Sequence, residues 1–131
     1  MTKNLVTISK DKTAYDAAKL MIDNRISSLI VLSNDNPVGI VTERDFIKKI
    51  CLKELSSSKV KIGNIMSKIK TSATPSTPID VAVQRMVNNR IHRLPIIDHG
   101  KVVGIITVTD LAKHLRTILL IDGILSSSSI Q

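Results

Sequence analysis

Apolar positions spaced three and four residues apart occur in two separate stretches of the chain, residues 13–25 and residues 79–87. This spacing places the apolar side chains on one face of an α-helix. We therefore predict two amphipathic helices with narrow apolar faces. These faces consist of Ala14, Ala17, Ala18, Met21 and Ile22 in the first helix and of Ile79, Ala82, Val83, Met86 and Val87 in the second.

Two short apolar runs follow each predicted helix, and residues typical of turns separate the runs. Each pair of runs predicts a β-hairpin that is buried on both faces. The runs cover 29–32 and 38–41 in the first stretch and 95–97 and 102–106 in the second, with turn residues at 34–37 and 98–101.

A further helix is expected after each hairpin, and a short extended segment before each first helix. The order of elements in each stretch is then β-α-β-β-α, which indicates an α/β (α+β) fold with small sheets covered by helices. The further helices run from Thr42 to about Cys51 and from Thr107 to about Leu115, and the extended segments lie at 5–8 and 70–74.

The second half of the chain repeats the first. A shift of 65 residues aligns 1–50 with 66–115 without a gap, and 14 of the 50 aligned pairs are identical, Asp45 with Asp110 among them. Because the unit occurs only twice, the repeat predicts two equivalent units related by a pseudo-two-fold axis rather than a solenoid. We place the first unit with its linker at 1–58, the second unit at 59–123 and a flexible tail at 124–131.

Positive charge exceeds negative charge in this chain. It has 19 Lys and Arg against 11 Asp and Glu, a net charge of +8 spread evenly over both halves. Such a charge permits nucleic-acid binding. However, aromatic residues make up only 2% of the chain, and proteins that bind single strands stack the bases on aromatic rings. The composition therefore permits a nucleic-acid partner but disfavours it.

Cysteine usage and hydropathy point to a cytoplasmic protein. The sequence has no apolar run long enough for a membrane span and no pattern of a secretory signal. The single cysteine, Cys51, excludes an internal disulfide, and we expect it to be a buried small side chain. Three histidines without ligand spacing predict no metal site.

The strings GIVTERD at 39–45 and GIITVTD at 104–110 both run from a strand through Thr to Asp at the start of a helix. One interpretation is structural, because Thr at a helix N-cap with an acid three residues later forms a capping box. The other is functional, because free N–H groups at a helix start favour a phosphate and a carboxylate can bind a ribose diol. The recurrence of the whole string favours function, as does a glycine that lets a ligand approach the backbone.

The same short motifs occur in the same order in both halves. MTKNLVTI at 1–8 and, more loosely, MSKIKTSA at 66–73 precede ISSL at 26–29 and IHRLP at 91–95, and the two Gly-Ile-x-Thr-x-x-Asp strings follow. In this order the sequence resembles a tandem pair of CBS domains, a Bateman module, over residues 1–120. The resemblance implies two related clefts between the units that bind adenosine-containing ligands such as AMP, ADP, ATP, S-adenosylmethionine or NAD, with no required cofactor.

The resemblance also implies the residues of each cleft. Asp45 and Asp110 would hold the ribose hydroxyls, and Thr42 and Thr107 would lie near ribose or phosphate. Each cleft would be completed by the other unit. Around Asp110 the resemblance adds His92, Arg93, Val6, Thr7, Ile26 and Ser27, and around Asp45 it adds Ser27, Ser28, Thr71, Ser72, Ile91 and His92.

The two implied clefts differ in charge. Arg93 carries a guanidinium that can bind a phosphate with two hydrogen bonds, whereas its equivalent, Ser28, cannot. We therefore expect the cleft with Asp110 to prefer a charged, phosphorylated nucleotide. We expect the cleft with Asp45 to be weaker, empty or selective for a less charged ligand, with an imperfect wall at residues 70–73 because these are more polar than a buried strand.

The residue types indicate binding rather than catalysis. Paired carboxylates, a nucleophile with its base, and metal clusters are all missing from the sequence, so we do not expect an enzyme. Our first hypothesis is a regulatory sensor that binds an adenosine-containing ligand and signals to an unknown protein target in trans. The resemblance further implies a homodimer formed by the helices after Thr42 and Thr107. The alternatives are a nucleic-acid-binding accessory protein and a ligand-free dimerisation scaffold.

Overall fold

The computed structural model describes residues 5–113 and 115–116 of the chain. The mixed order of helices and strands confirms the predicted α/β (α+β) fold class. The predicted tail at 124–131 lies outside the described residues. The elements are β1 (Thr7–Ser9), α1 (Ala14–Asn24), β2 (Ser28–Ser33), β3 (Asn36–Thr42), α2 (Glu43–Phe46), β4 (Ser67–Lys68), α3 (Ile79–Asn89), β5 (Arg93–Asp98) and β6 (Lys101–Thr107), and residues 108–113 are again helical.

The helices α1 and α3 begin differently and end alike. At the start of α1, Oγ1 of Thr13 accepts a hydrogen bond from the N–H of Asp16 at 3.1 Å, and Oδ2 of Asp16 accepts one from the N–H of Thr13 at 3.2 Å. This capping box satisfies two backbone donors, whereas α3 begins after Pro78 without a side-chain cap. Both helices end at an arginine in the left-handed region, Arg25 with φ 54° and Arg90 with φ 52°.

Both hairpins turn through two residues with positive φ. These residues are Asn34 and Asp35 in the first hairpin and His99 and Gly100 in the second. Positive φ at both central residues gives the turn a twist that matches the right-handed twist of the strands. The turns are tighter than the four-residue segments that the sequence indicated, so the strands extend further toward them.

The two hairpins share one register. Ser28 lies across from Thr42 in the first hairpin, and Arg93 lies across from Thr107 in the second. The helix expected after Thr42 is present as α2, and it continues into a π-helical turn at Ile47–Cys51. Each threonine therefore stands where a strand ends and a helix begins.

The strands form one four-stranded and one two-stranded sheet. The first sheet has the order β1-β2-β3-β4, and the second consists of β5 and β6. Although β4 belongs to the second repeat, it pairs with β3 of the first, where Gly39 lies across from Lys68. A Cβ atom at Gly39 would lie 2.5 Å from Sδ of Met66 and 2.9 Å from the carbonyl oxygen of Ser67. Glycine is therefore needed for this close approach.

The strand predicted at 70–74 is wrong in extent. Only Ala73 pairs there, by an isolated parallel bridge to Ile96. Its N–H donates to the carbonyl oxygen of Pro95 at 2.9 Å, and its own carbonyl accepts from the N–H of Ile97 at 2.8 Å. Ala73 is the first apolar residue after the polar stretch at 70–72, which has no regular secondary structure. Polar side chains fit poorly against a covered sheet, which accounts for the shorter pairing.

Each half has its own apolar core. The predicted boundary after residue 58 divides the sequence repeats, whereas the first core extends past it, because Ile62 and Ile65 are buried there. Cys51, which we expected to be buried, is exposed, because the buried position at this end of the helix belongs to Ile50. The first core comprises Ile8, Ala14, Ala17, Met21, Leu29, Val31, Val41, Ile50, Ile62 and Ile65, and the second comprises Ala73, Ala82, Met86, Leu94 and Ile96.

The two halves meet where β3 faces β6. On one side of this seam, Ile40 of the first half and Pro95 of the second line the same cleft. On the other side, Ile30 of the first half and Ile105 of the second do so. The repeat relates Ile40 to Ile105 and Ile30 to Pro95, so the seam follows the pseudo-two-fold axis predicted from the sequence.

Candidate functional site

Two clefts flank the seam between the halves. The Asp45 cleft, which is lined by Thr42, Asp45 and Ile91 among others, has a volume of about 410 Å³. The Thr107 cleft, which is lined by Thr107 and Ile26 among others, has a volume of about 340 Å³. Both volumes lie in the range of small-molecule pockets, roughly 300–1,000 Å³.

The two clefts are built from equivalent positions of the repeat. A shift of 65 residues converts ten lining positions of one cleft into lining positions of the other. In each cleft three of these positions come from one unit and seven from the other, so neither unit forms a site alone. The pairs are Ile40 and Ile105, Thr42 and Thr107, Arg44 and Thr109, Lys70 and Leu5, Thr71 and Val6, Arg90 and Arg25, Ile91 and Ile26, His92 and Ser27, Arg93 and Ser28, and Pro95 and Ile30.

Asp45 is held on both of its carboxylate oxygens. It is 8% exposed, and its Oδ2 accepts hydrogen bonds from the N–H of Thr42 at 2.9 Å and from the Thr42 hydroxyl at 3.3 Å. Its Oδ1 lies 3.1 Å from Nζ of Lys49. The same Nζ donates to the carbonyl oxygen of Ile65 at 2.8 Å. The acid that the resemblance assigns to ribose is thus engaged within the chain.

Asp110 forms a complete capping box with Thr107. The N–H of Thr107 donates to Oδ2 of Asp110 at 3.0 Å, and the N–H of Asp110 donates to Oγ1 of Thr107 at 3.1 Å. Burial raises the pKa of Asp110, but the hydrogen bonds with Thr107 and the positive charge of Lys113 outweigh it and hold the pKa below its ordinary value of 3.8. The structural interpretation is therefore confirmed for the second string, and in the first string Asp45 likewise accepts a hydrogen bond from the N–H of Thr42. Ligand binding has to be compatible with these bonds.

Most residues predicted around Asp45 line its cleft, but three do not. Ser27 and Ser28 line the Thr107 cleft instead, because these positions complete the site of the other unit rather than that of their own. Ser72 does not line the Asp45 cleft, and its carbonyl oxygen accepts a hydrogen bond from Nη1 of Arg85 at 2.8 Å. The predicted residues found in the Asp45 cleft are Thr42, Asp45, Thr71, Ile91 and His92.

Of the residues predicted around Asp110, some line the Thr107 cleft and others do not. Asp110 itself is not among the described residues that line the Thr107 cleft. Thr7 lies in an outer depression, because neighbouring residues of an extended chain point to opposite sides and Val6 takes the inner one. His92 lines the Asp45 cleft and a shallow depression beside Thr107. The predicted residues found in the Thr107 cleft are Val6, Ile26, Ser27, Arg93 and Thr107.

Positive charge is distributed in the reverse of the order expected from the sequence. Among the described residues, seven basic side chains line the Asp45 cleft and two line the Thr107 cleft. The expectation rested on Arg93 alone, and Arg93 does not distinguish the two clefts because it lines both. The seven are Arg44, Lys48, Lys49, Lys68, Lys70, Arg90 and Arg93, and the two are Arg25 and Arg93.

Several of these basic residues were missed by sequence reasoning. Arg25 and Arg90 could have been found, because they are identical in the two repeats and stand at the predicted end of each helix. Lys68 is also identical in the two repeats, with Lys3 as its equivalent, but it stands at no predicted helix end, and Lys70 is not repeated because its equivalent is Leu5. Lys68 comes to the cleft because β4 pairs with β3, and that pairing joins segments far apart in the sequence.

The described residues were also compared with the requirements of a metal site and of a membrane-spanning helix. Within them, no group of three or more His, Cys, Asp or Glu side chains is arranged to hold a metal ion. In the same part of the chain, every helix falls short of the length and apolar character needed to cross a membrane.

A family model for the CBS domain matches the chain twice, at residues 1–52 and at residues 62–117. The two matches coincide with the two repeats. The chain belongs to the CBS domain family. The resemblance found in the sequence is therefore confirmed. Tandem CBS domains form regulatory modules, many of which are nucleotide-binding sensors.

Similar proteins come from distant organisms. An uncharacterized protein of Methanocaldococcus jannaschii is 35% identical over 114 residues, which cover 85% of this chain and 61% of that protein. A solved structure of a protein with CBS domains from Burkholderia ambifaria is 36% identical, with a TM-score of 0.77 over 88% of this chain and 85% of that chain. A hexameric CBS-CP12 protein from bloom-forming cyanobacteria is 32% identical, with a TM-score of 0.77 over 86% of this chain and 63% of that chain.

Proposed function

We propose that this CBS domain pair is a regulatory sensor that binds an adenosine-containing ligand between its units and signals to a protein partner in trans. The ligand class comprises AMP, ADP, ATP, S-adenosylmethionine and NAD. One observation carries the proposal: ten lining positions of one cleft are equivalent to ten of the other, and each cleft draws on both units. A ligand bound there contacts both units, so its occupancy changes how they are held together.

The lining supports a ligand with an apolar base and a charged end. Aliphatic side chains from both units line each cleft, and a purine can lie against them while backbone groups supply hydrogen bonds. Basic side chains form charge-assisted hydrogen bonds with phosphate. The aliphatic residues are Ile40, Ile69, Ile91 and Pro95 in the Asp45 cleft and Leu5, Val6, Ile26, Ile30 and Ile105 in the Thr107 cleft.

Ribose binding by Asp45 requires a local rearrangement. Both carboxylate oxygens of Asp45 already have partners, Thr42 on one side and Lys49 on the other. A ribose diol can replace Lys49, since the lysine side chain is partly exposed and flexible. The released ammonium group is then available to a phosphate of the same ligand.

Ligand titration with matched cleft-filling variants tests the proposal. Thr71 and Val6 are equivalent positions in the two clefts, so Thr71→Trp and Val6→Trp each fill one cleft. We expect an adenosine-containing ligand to raise the melting temperature, by the equivalent of roughly 2.7 kcal/mol at about 100 times its dissociation constant. Each tryptophan should remove one site from the stoichiometry measured by calorimetry, while Thr7→Trp, on the outer side, leaves the stoichiometry unchanged.

Other results would support the alternatives. Unchanged melting with every adenosine-containing ligand, together with a stable dimer, would indicate a ligand-free scaffold. Binding of RNA or DNA that weakens steeply with salt, without a nucleotide response, would indicate a nucleic-acid-binding accessory protein. Either result contradicts the sensor function.

We also propose that the module acts as a homodimer through the helices that follow Thr42 and Thr107. Apolar side chains on these helices, or directly after the first of them, are exposed: Ile47 by 55% and Leu52 by 75%, Val108 by 49% and Leu115 by 56%. Contiguous exposed apolar surface commonly marks a protein interface. The hexameric state of the similar cyanobacterial protein is consistent with self-association of such modules.

The oligomeric state can be measured by light scattering after gel filtration. Ile47→Asp and Val108→Asp should convert the dimer into a monomer, because a buried unpaired charge opposes association. Ser58→Asp introduces the same charge in the exposed linker and should leave the dimer intact. A monomeric unmodified protein, or a dimer that survives both changes, contradicts this interface.

A further inference from the structure

We infer that the Asp45 cleft is a polyphosphate site, which selects its ligand by the length of a phosphate chain rather than by the sugar. The inference rests on the proposed function only in taking this cleft as a ligand site, and it does not require adenosine. The ligand class is a linear chain of three phosphates, either carried by a nucleoside or free.

The positive charge of the Asp45 cleft is mostly unpaired. Asp45 is the one acid among its described lining residues, and the charge of Asp45 is matched by Lys49. The remaining positive charge therefore favours the binding of an anion of high charge. In the part of the chain that the structure describes, no hydrogen bond or ion pair engages the side chains of the other six basic residues, which are Arg44, Lys48, Lys68, Lys70, Arg90 and Arg93.

The fold does not require several of these cations. The second copy of the repeat serves as an internal comparison, because its hairpin has the same register. At three positions equivalent to these cations, the Thr107 cleft has neutral residues, and the cleft is still formed. The equivalent pairs are Arg44 and Thr109, Lys70 and Leu5, and Arg93 and Ser28.

Two of the cations repel each other in the protein without ligand. Arg44 and Lys48 are four residues apart on α2 and its continuation, and like charges at this spacing destabilise a helix. A bound polyanion would offset this repulsion.

The spread of the cations favours a chain of phosphates over a single one. Arg44 and Lys48 belong to α2 and its continuation, Lys68 to β4, Arg90 to the end of α3 and Arg93 to the start of β5. One phosphate group can accept bonds from only a few of these side chains, whereas linked phosphates can reach more of them. The sugar contributes less, because Asp45 is already engaged on both oxygens.

Calorimetry with a series of ligands tests the inference. The series is adenosine, AMP, ADP, ATP and inorganic tripolyphosphate, measured with the Val6→Trp variant so that only the Asp45 cleft is open. We expect the affinity to rise by at least roughly tenfold from AMP to ATP, since each further phosphate adds charge-assisted hydrogen bonds. Tripolyphosphate should compete with ATP for the same site.

A matched pair of double variants separates this cleft from general charge effects. Arg44→Thr with Lys70→Leu introduces the residues of the equivalent positions in the other cleft, and it should abolish the preference for ATP over AMP. Lys53→Leu with Lys59→Thr removes the same charge from exposed positions outside the cleft and should preserve the preference. Without ligand, the first double variant should unfold at the same or a higher temperature, because like-charge repulsion is reduced.

The outcomes distinguish this inference from the proposed function. If AMP, S-adenosylmethionine or NAD binds as tightly as ATP, the polyphosphate site is refuted and the sensor of adenosine-containing ligands stands. If tripolyphosphate binds while no adenosine-containing ligand binds better than tripolyphosphate, the polyphosphate site stands and adenosine recognition is refuted. A preference for ATP that survives Arg44→Thr with Lys70→Leu also overturns the inference.

Discussion

Arg93 lies directly across from Thr107 in the second hairpin, in the same register in which Ser28 lies across from Thr42 in the first. Ser28 lines the Thr107 cleft only, whereas Arg93 lines both clefts. One guanidinium is therefore available to an anion on either side of the seam. Ser28 and Arg93 therefore share the same strand register, but only the longer Arg93 side chain extends to both clefts.

Arg93→Ser should weaken the binding of anionic ligands in both clefts. A hydrogen bond to a charged group contributes about 1.5–3 kcal/mol, which corresponds to a loss of roughly tenfold to a hundredfold in affinity. Calorimetry on the Thr71→Trp and Val6→Trp backgrounds reads each cleft separately. Arg90→Ser should affect only the Asp45 cleft and Arg25→Ser only the Thr107 cleft, since each lines one cleft. A loss confined to one cleft in Arg93→Ser contradicts the shared role.

Lys49→Met should destabilise the first unit. It removes the ammonium group that lies 3.1 Å from Oδ1 of Asp45, and it leaves a largely buried carboxylate oxygen without its charged partner. We expect a loss of about 1–2 kcal/mol in the free energy of unfolding, since the lysine is partly exposed. Urea denaturation measures the loss, with Lys48→Met as the control, because the side chain of Lys48 is exposed. Equal stabilities of the two variants would show that the ion pair contributes nothing.

Gly39→Ala should destabilise the pairing of β3 with β4. The added methyl group would lie within 2.9 Å of the Ser67 carbonyl oxygen and closer still to Met66, and overpacking of this kind typically costs about 1–3 kcal/mol. Hydrogen exchange should show faster opening at Lys68. Adding Met66→Ala relieves the side-chain contact but not the backbone one, so we expect only partial recovery. Full recovery would assign the whole effect to the methionine.

Asp110→Asn should lower stability at neutral pH and much less in acid. The folded protein holds the pKa of Asp110 below its ordinary value, so the unfolded chain takes up the proton more readily. The ionised carboxylate therefore stabilises the fold above the unfolded pKa of about 3.9, and this contribution is lost as the pH falls through the lower folded pKa. Unfolding free energies of both proteins at neutral and acidic pH measure the change. A difference that does not depend on pH contradicts the capping role of the charge.

Asp23→Asn is the control for this pH dependence. Asp23 lies on α1 and is exposed, and no hydrogen bond or ion pair of its side chain is present among the described residues. Its replacement should alter the stability by no more than about 0.5 kcal/mol at either pH. A comparable loss in both variants would point to net charge rather than to the capping box.

Local features of the chain were predicted correctly from the sequence. The helices α1 and α3, the hairpin turns at Asn34 and His99, and the bond from Thr42 to Asp45 all follow from interactions between residues close together in the chain. Such interactions can be recognised directly from the spacing and the types of the residues. The repeat added the pairing of equivalent units, because duplicated sequences fold into equivalent structures.

The sequence by itself determined the helices α1 and α3, the two hairpins, the duplication and the family, and with them the expectation of two related clefts. Only the tertiary structure decided which cleft carries the positive charge. Lys68 lines the Asp45 cleft because β4 crosses to the first sheet, and Arg93 lines both clefts because β5 starts at the seam. The physical reason is that charge in a cleft sums over side chains from distant segments, and only packing of those segments brings the charges together.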